Sequence, residues 1–486
     1  MDLDQVRLTA SAQLDQPRRA ALGQYLTPTA TARFMAGLFP PGGRAPARLL
    51  DAGAGVGSLT AAFLDRWQAG GLACERVDVM AYEIDAQLRA RLVETLAAYA
   101  GPRLGVRISG ADFVEDAITG AQFQTIAPFT HAILNPPYKK IGSASHHRAL
   151  LRQAGIETVN LYSAFVALAI LLMEPAGQIV AIIPRSFCNG PYYRPFRDFL
   201  LARTAIRHIH LFGARDQAFR DDAVLQENVI IRLEQGGEPG PVTVSTSSDD
   251  TFADYAAVDL PFAEIVHPDD PERFIHVPTS AAGDPLDALA GVCCSLAEIG
   301  VEVSTGPVVD FRHQPDLRAL PEPGAVPLLY PAHFAGGELT WPLATGRKPN
   351  AIMLTDETRG WLYPAGCYTV VRRFSSKEER RRIVASVLAP DALTADLVGF
   401  ENHLNVFHHR KAGLPEALGQ GLAAYLNSTA VDEHFRRYSG HTQVNATDLR
   451  RLRYPSRDTL LRLGRWALRH PHPDQAALDA QLEALR

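Results

Sequence analysis

The sequence predicts an α/β protein built on a doubly wound, mostly parallel sheet, and three observations carry that prediction. Short apolar runs alternate with helix-like segments from about residue 20 to residue 235. One of those runs, ARLLDA at 47–52, leads at once into a glycine-rich turn and a helix. Acidic residues then recur just past the ends of successive strands, where open parallel sheets bind their ligands.

Residues 1–22 read as a polar helical lead-in, followed by GQYLTP at 23–28. Thr27 or Thr29 is placed to cap a helix over TATARFMAGLF, whose apolar face includes Ala32, Phe34, Met35 and Leu38. Residues 47–59 form a strand, a turn and the start of the helix LTAAFLDRW. Gly53, Gly55 and Gly57 let the backbone approach a ligand, and the helix start offers unpaired N–H groups. The spacing is not the G-x-G-x-x-G of dinucleotide folds, and no Lys-Ser/Thr follows as a phosphate loop requires. Asp51, just before the first glycine, suits an ammonium better than a pyrophosphate, which favours S-adenosylmethionine over NAD.

A second strand at 77–82 ends in Glu83-Ile84-Asp85. Glu83 is placed for ribose hydroxyls and Ile84 for the face of an adenine ring. A third, at 106–109, leads to Asp112 and Phe113, an acceptor for an adenine amino group and a cover for its face. The fourth, HAILNPPY at 131–138, stops abruptly at two prolines that fix φ and donate no N–H. Asn135 and the carbonyl of Pro136 then present two acceptors beside the ring of Tyr138, an arrangement suited to a planar –NH2 group. Helices follow at LLRQAG and NLYSAFVALAILLMEPA, then a strand at 177–184 and a helix in YYRPFRDFLLA. Residues 208–212 and 228–233 are expected to be the last two strands.

The whole chain has 486 residues, 47% hydrophobic and 21% charged, so it folds as two or three globular domains rather than remaining disordered. The N-terminus, MDLDQVRLTA, lacks a basic-then-apolar signal, and no run is long enough to span a bilayer. Five cysteines without a CxxC pair argue against structural zinc and a disulfide framework. A cytoplasmic location is therefore expected, with no metal and no membrane partner. A net charge of −5 argues only mildly against a nucleic-acid partner, because binding needs just a local basic face.

The ordered set Thr27-Pro28, Asp51 to Gly57, Glu83, Asp112-Phe113 and Asn135 to Tyr138 resembles the gamma-type N-6 adenine DNA methyltransferases of type II restriction–modification systems. The match covers roughly residues 20–235. The resemblance implies a Rossmann-like class I methyltransferase domain at 1–235 and a C-terminal α+β target-recognition domain at 242–486. It implies that S-adenosylmethionine is held by Thr27, Asp51, Gly53, Gly55, Gly57, Glu83, Ile84, Asp112 and Phe113. Asn135, Pro136 and Tyr138 are then catalytic, and a flipped-out adenine stacks on Tyr138 and on Tyr193, with Tyr192 and Phe196 as rivals.

The Gly/Pro cluster at 234–241 is read as the domain boundary. Beyond it, two basic stretches suit DNA: Arg372, Arg373 and Lys377 in one, and Arg436, Arg437, His441, Gln443, Asn445, Arg450 and Arg451 in the other. FENHLN at 400–405 resembles the recognition half of some adenine methyltransferases. The paired histidines His146-His147 and His408-His409 read as surface residues, since no acidic partner recurs at ligand spacing. The expected partner is double-stranded DNA, with a cognate restriction endonuclease acting separately and a monomeric or dimeric state. Two competing functions remain: methylation of an RNA base or a protein glutamine, and sequence binding without catalysis. A fused endonuclease is disfavoured, for want of an Asp…Glu-x-Lys arrangement.

Overall fold

The computed structural model describes residues 4–5, 7–9, 26–43, 45–213, 227–278, 284–289, 291–344, 346, 348–376, 379–439 and 442–484. Most of the expected lead-in helix, together with Lys377 and His441, lies outside them. The chain divides into two compact units, residues 1–281 with 438–440, and residues 282–437 with 441–486.

In the first unit, nine strands among the described residues form one sheet in the order β3-β2-β1-β4-β5-β7-β6-β8-β9. They are β1 Ala47–Ala52, β2 Val77–Tyr82, β3 Leu104–Ser109, β4 Phe129–Leu134, β5 Met173–Pro184, β6 Thr204–Phe212, β7 Asn228–Gln235, β8 Val242–Ser247 and β9 Ala256–Leu260. The first five run parallel, while β7 is antiparallel to both neighbours. The interleaved helices are α1 Thr29–Gly37, α2 Ser58–Gln68, α3 Ala86–Ala97, α4 Phe113–Phe123, α5 His146–Gln153, α6 Leu161–Leu172 and α7 Arg194–Arg203. Strand side chains alternate between the two faces. Thus Ile133 joins Met35, Phe63 and Leu92 in one core, and Leu134 joins Val114, Val166 and Ile170 in the other. Burial on both faces is why the central strands are almost unbroken apolar runs.

The chain runs outward from β1 to β3 and then returns to place β4 beside β1, with Leu49 opposite His131. That reversal is the topological switch point, and the crevice it leaves at the strand ends is the natural ligand site of such a sheet. The turn after β1 and the turn after β4 therefore meet across it.

Two expectations need correction. The strands at 208–212 and 228–233 are not the last of the sheet, because β8 pairs parallel with β6 and β9 pairs antiparallel with β8. The Gly/Pro cluster is consequently a connection inside this sheet, and the first compact unit continues to residue 281 rather than ending at 235. Local turn chemistry marks where a chain changes direction, and it does so equally within a domain and between domains.

The second unit is α+β. An antiparallel sheet orders Glu302–Thr305, Leu404–His408, Tyr368–Arg372 and Ala385–Leu388, and a five-stranded mixed sheet contains Ala325–Leu329 and Leu397–Phe400. Helices Glu416–Leu426 and Arg457–Arg469 pack in intimate backbone contact. A Cβ on Gly464 would fall 1.6 Å from the carbonyl oxygen of Ala417, and one on Gly421 1.9 Å from that of Leu460.

Candidate functional site

The crevice holds a cavity of about 340 Å³, lined by Gly53 and Gly55 of the first turn, Glu83 and Ile84 past β2, Asp112 and Phe113 past β3, and Asn135 and Pro137 past β4. Six of the nine expected cofactor residues thus share one wall. Gly53 sits at φ +83°, a conformation that favours glycine, and a Cβ there would lie 3.7 Å from the carbonyl oxygen of Asn135. A side chain at this position would fill the gap between the two turns.

The Glu83 carboxylate accepts hydrogen bonds from the backbone N–H of Gly55 (2.9 Å) and of Asp85 (2.7 Å), which ties the glycine turn to the end of β2. Burial pushes its pKa up, against the pull of those two N–H groups. Ile84 is 55% exposed, and an isoleucine left so bare at a cavity mouth offers an apolar ledge for a flat ring. Asp112 caps α4, its Oδ1 accepting from the N–H groups of Val114 (2.8 Å) and Glu115 (3.3 Å). Its Oδ2 lies 3.0 Å from Nε2 of His147. Phe113 packs on Phe165 at 4.9 Å.

The other three expected cofactor residues lie elsewhere. Asp51 is fully buried beneath the turn, accepting from the Thr60 hydroxyl at 2.6 Å, and it does not line the cavity. Burial raises its carboxyl pKa to about 7, partly opposed by Thr60. A charge there would reach a ligand through the turn rather than by contact. Gly57 precedes α2 at φ +91°, with Leu92 at its back. Thr27 neither lines the cavity nor caps α1: Pro28 holds the cap position, and the Asp4 carboxylate accepts from the Thr29 N–H at 3.1 Å.

The Thr27 hydroxyl instead accepts from Nδ2 of Asn135 at 2.9 Å. With the amide nitrogen so engaged, Oδ1 is the acceptor end of the side chain. Pro136 is buried. The hydroxyl of Tyr138 donates to the carbonyl of Ile182 at 3.2 Å, anchoring the turn to β5. Tyr138 meets Tyr162 edge-on at 6.3 Å, and Tyr162 lies 5.6 Å from Tyr193. Tyr193 is half-buried and accepts from Nδ2 of Asn160 at 3.4 Å. Its rivals separate clearly: Phe196 is buried in the core, and Tyr192 is 75% exposed. Sequence reasoning missed Leu26, Lys139, His147 and Phe165 as cavity residues. Only His147, next to another histidine, left a trace in the sequence.

In the second unit the two basic stretches, some seventy residues apart, lie side by side. Ser375 N–H donates to the carbonyl of Thr442 (3.0 Å), and Val444 N–H to that of Arg373 (2.7 Å). Arg373 Nη2 donates to Oε1 of Gln443 at 3.2 Å, and Phe374, exposed, lies 5.0 Å from His403. Arg372 pairs with Glu379, whose carbonyl accepts from Arg436. Arg436 also pairs with Asp432 at 2.7 Å, and Arg437 follows it on the same half-buried helix turn. Asn445 caps the helix Ala446–Arg451 beside Asp448, and Arg450 and Arg451 are exposed at that helix's end. No helix among the described residues is long and apolar enough to cross a membrane.

Comparison with known proteins gives the chain's family. Residues 112–219 match the Eco57I restriction-modification methylase family. The chain is 49% identical to the type II methyltransferase M.BsuBI of Bacillus subtilis, over 99% of this chain and 97% of that one. It is 41% identical to the type II methyltransferase M.PstI of Providencia stuartii, over 94% and 92%. Among solved structures, the type IIL restriction-modification enzyme MmeI, determined in complex with DNA, shares the fold at a TM-score of 0.52. That alignment is 11% identical and covers all of this chain and 74% of the other. With nearly full-length relatives at this identity, the chain belongs to the type II methyltransferases of restriction–modification systems.

Proposed function

We propose that the protein is a site-specific DNA methyltransferase that transfers a methyl group from S-adenosylmethionine to the exocyclic amino group of a flipped-out adenine. One observation carries this reading: Asn135 and Pro137, on either side of Pro136 in the turn after β4, line the same cavity as Gly53, Glu83 and Asp112, and the Asn135 amide donates to the Thr27 hydroxyl. The cavity fits the cofactor: two acids for hydroxyl and amino donors, an apolar ledge at Ile84, and a glycine where any side chain would intrude. When bound, S-adenosylmethionine supplies an electrophilic methyl on sulfur, and the sulfur is left as a neutral thioether once the methyl is passed on.

An aromatic amino group is a weak nucleophile because its lone pair is delocalised. Asn135 Oδ1 and the Pro136 carbonyl accept its two N–H bonds and draw the nitrogen towards tetrahedral geometry, which frees the lone pair for attack. The ammonium so formed then loses a proton to water. Catalysis is by positioning and preorganised acceptors, with no covalent protein intermediate. Such an amino group is unreachable within a duplex, so the base must leave the stack. Tyr138 and Tyr193 are the rings that receive it. The second unit delivers the target: Arg450 and Arg451 to phosphates, and Arg373 with Gln443 to base edges. In a cytoplasm that also holds a cognate endonuclease, the modification protects host DNA.

The test is to incubate the protein with labelled S-adenosylmethionine and unmethylated duplex, then digest to nucleosides. Label in N6-methyladenosine at one fixed motif supports the reading. Label in N4-methylcytosine moves the substrate to cytosine, and label only in RNA or protein removes DNA from the account. With 2-aminopurine as the target base, a rise in fluorescence on binding reports the flip, and no rise argues against it.

A further inference from the structure

Two neighbouring histidines at the start of α5 face two acids in the first turn of α4. His146 Nε2 is 3.5 Å from Oε1 of Glu115, and His147 Nε2 is 3.0 Å from Oδ2 of Asp112. The two contacts differ in kind. His146 and Glu115 are 70% and 53% exposed, a surface pair of the sort that contributes little. His147 and Asp112 are 30% and 27% exposed, and both line the cavity.

The consequence for Asp112 is geometric. Its Oδ1 is committed to the backbone N–H groups of Val114 and Glu115, and its Oδ2 to His147. Bonds to both oxygens hold the carboxylate against turning about χ2. An oxygen that accepts one N–H still has a second lone pair. We infer that His147 is a positioning residue: it locks the Asp112 carboxylate so that Oδ2 selects a 6-amino purine over a 6-oxo purine on the bound cofactor. This rests on the reading of the cavity as the S-adenosylmethionine site.

The selectivity follows from hydrogen-bond polarity. A 6-amino group donates to a carboxylate, whereas a 6-oxo group brings one acceptor against another. A site built to pair with a donor rejects the analogue lacking it only while its own group cannot swing aside. Without His147, the Asp112 carboxylate is held by its capping bonds alone, and a rotation about χ2 that stretches them turns Oδ2 towards water more easily. The discrimination should then shrink from the amino side.

The experiment measures equilibrium binding of S-adenosylhomocysteine and S-inosylhomocysteine to the full chain. The wild type should favour the adenosyl compound by about thirtyfold or more, the ratio expected when a buried hydrogen-bonding group is left unpaired. His147→Ala should lose about five- to tenfold for the adenosyl compound, with inosyl binding nearly unchanged, and His147→Gln, which keeps an N–H donor, should restore most of the ratio. An equal loss for both ligands would make His147 a cavity wall only and overturn the inference, as would an unchanged ratio in His147→Ala. If the wild type binds neither compound, the reading of the cavity falls first and this inference with it.

Discussion

Asn135→Ala removes one of the two acceptors on which the proposed chemistry depends, and the structure limits what else it removes. The side chain is half-buried, and its contacts include the bond from Nδ2 to the Thr27 hydroxyl at 2.9 Å. Losing that bond costs about 1 kcal/mol of stability, too little to unfold a protein of this size. Removing one preorganised polar group from a transition state typically costs about 100- to 1,000-fold in rate, or roughly 3–4 kcal/mol of barrier. The cofactor wall, built from Gly53, Gly55, Glu83, Ile84 and Asp112, is left intact, so S-adenosylmethionine affinity should move by about threefold at most. The assay is single-turnover methyl transfer beside equilibrium cofactor binding and a thermal melt. Thr27→Val is the control, since it keeps the amide and deletes only its anchor; an intermediate loss of about tenfold is expected. A fall in rate matched by an equal fall in cofactor affinity would refute the assignment and make Asn135 a structural residue. A Thr27→Val variant as impaired as Asn135→Ala would shift the role to the hydroxyl.

Other consequences are separately measurable. Asp51 has a folded pKa of about 7 against an ordinary 3.8, so its stabilising contribution is full below pH 4 and is lost as pH rises through 7. Asp51→Asn should therefore gain stability over the wild type between pH 5 and 8, by about 1–3 kcal/mol at the upper end, and a pH-independent difference in melts would contradict this. Gly464→Ala would drive a Cβ to 1.6 Å from the Ala417 carbonyl, so the helices of the second unit must part. A loss of about 2–4 kcal/mol in chemical denaturation is expected. The exposed neighbour Arg465→Ala, measured in parallel, should change stability by about 0.5 kcal/mol or less, and equal losses in both variants would rule out the backbone clash as the cause. The double variant Arg450→Ala/Arg451→Ala should weaken DNA binding at low salt and lower the slope of log K against log salt by about 1–2. An unchanged slope would take both residues off the phosphates.

Much of the catalytic unit is legible because its signals are local. The glycine turn, Glu83, Asp112-Phe113 and Asn135 to Tyr138 each sit at the end of a strand whose apolar run is visible, and chain order alone puts them along one edge of the sheet. What stays hidden depends on contacts between distant residues. Nothing near Thr27 shows that its hydroxyl meets an amide 108 residues away, or that Asp4 takes over the capping of α1. Asp51 resembles a ligand by spacing, yet it faces Thr60 under the turn. Adjacent histidines invite a test for metal, whereas the partner of His147 is a carboxylate on another helix. The domain boundary falls elsewhere than expected because a Gly/Pro cluster looks the same between two strands of one sheet as between two domains. In the second unit, short strands break the periodicity, and only the charge of the two basic stretches is readable; their pairing through Ser375 and Val444 is not.

That the turn after β4 places a methyl group on an adenine of DNA can be tested most directly in a host lacking DNA methylation. The intact protein is expressed there and every modified base in the host genome is mapped. The predicted result is N6-methyladenine at one fixed motif, abolished by Asn135→Ala. A genome without modified adenine, from cells whose purified protein still binds S-adenosylmethionine, would contradict it and turn attention to RNA or protein substrates.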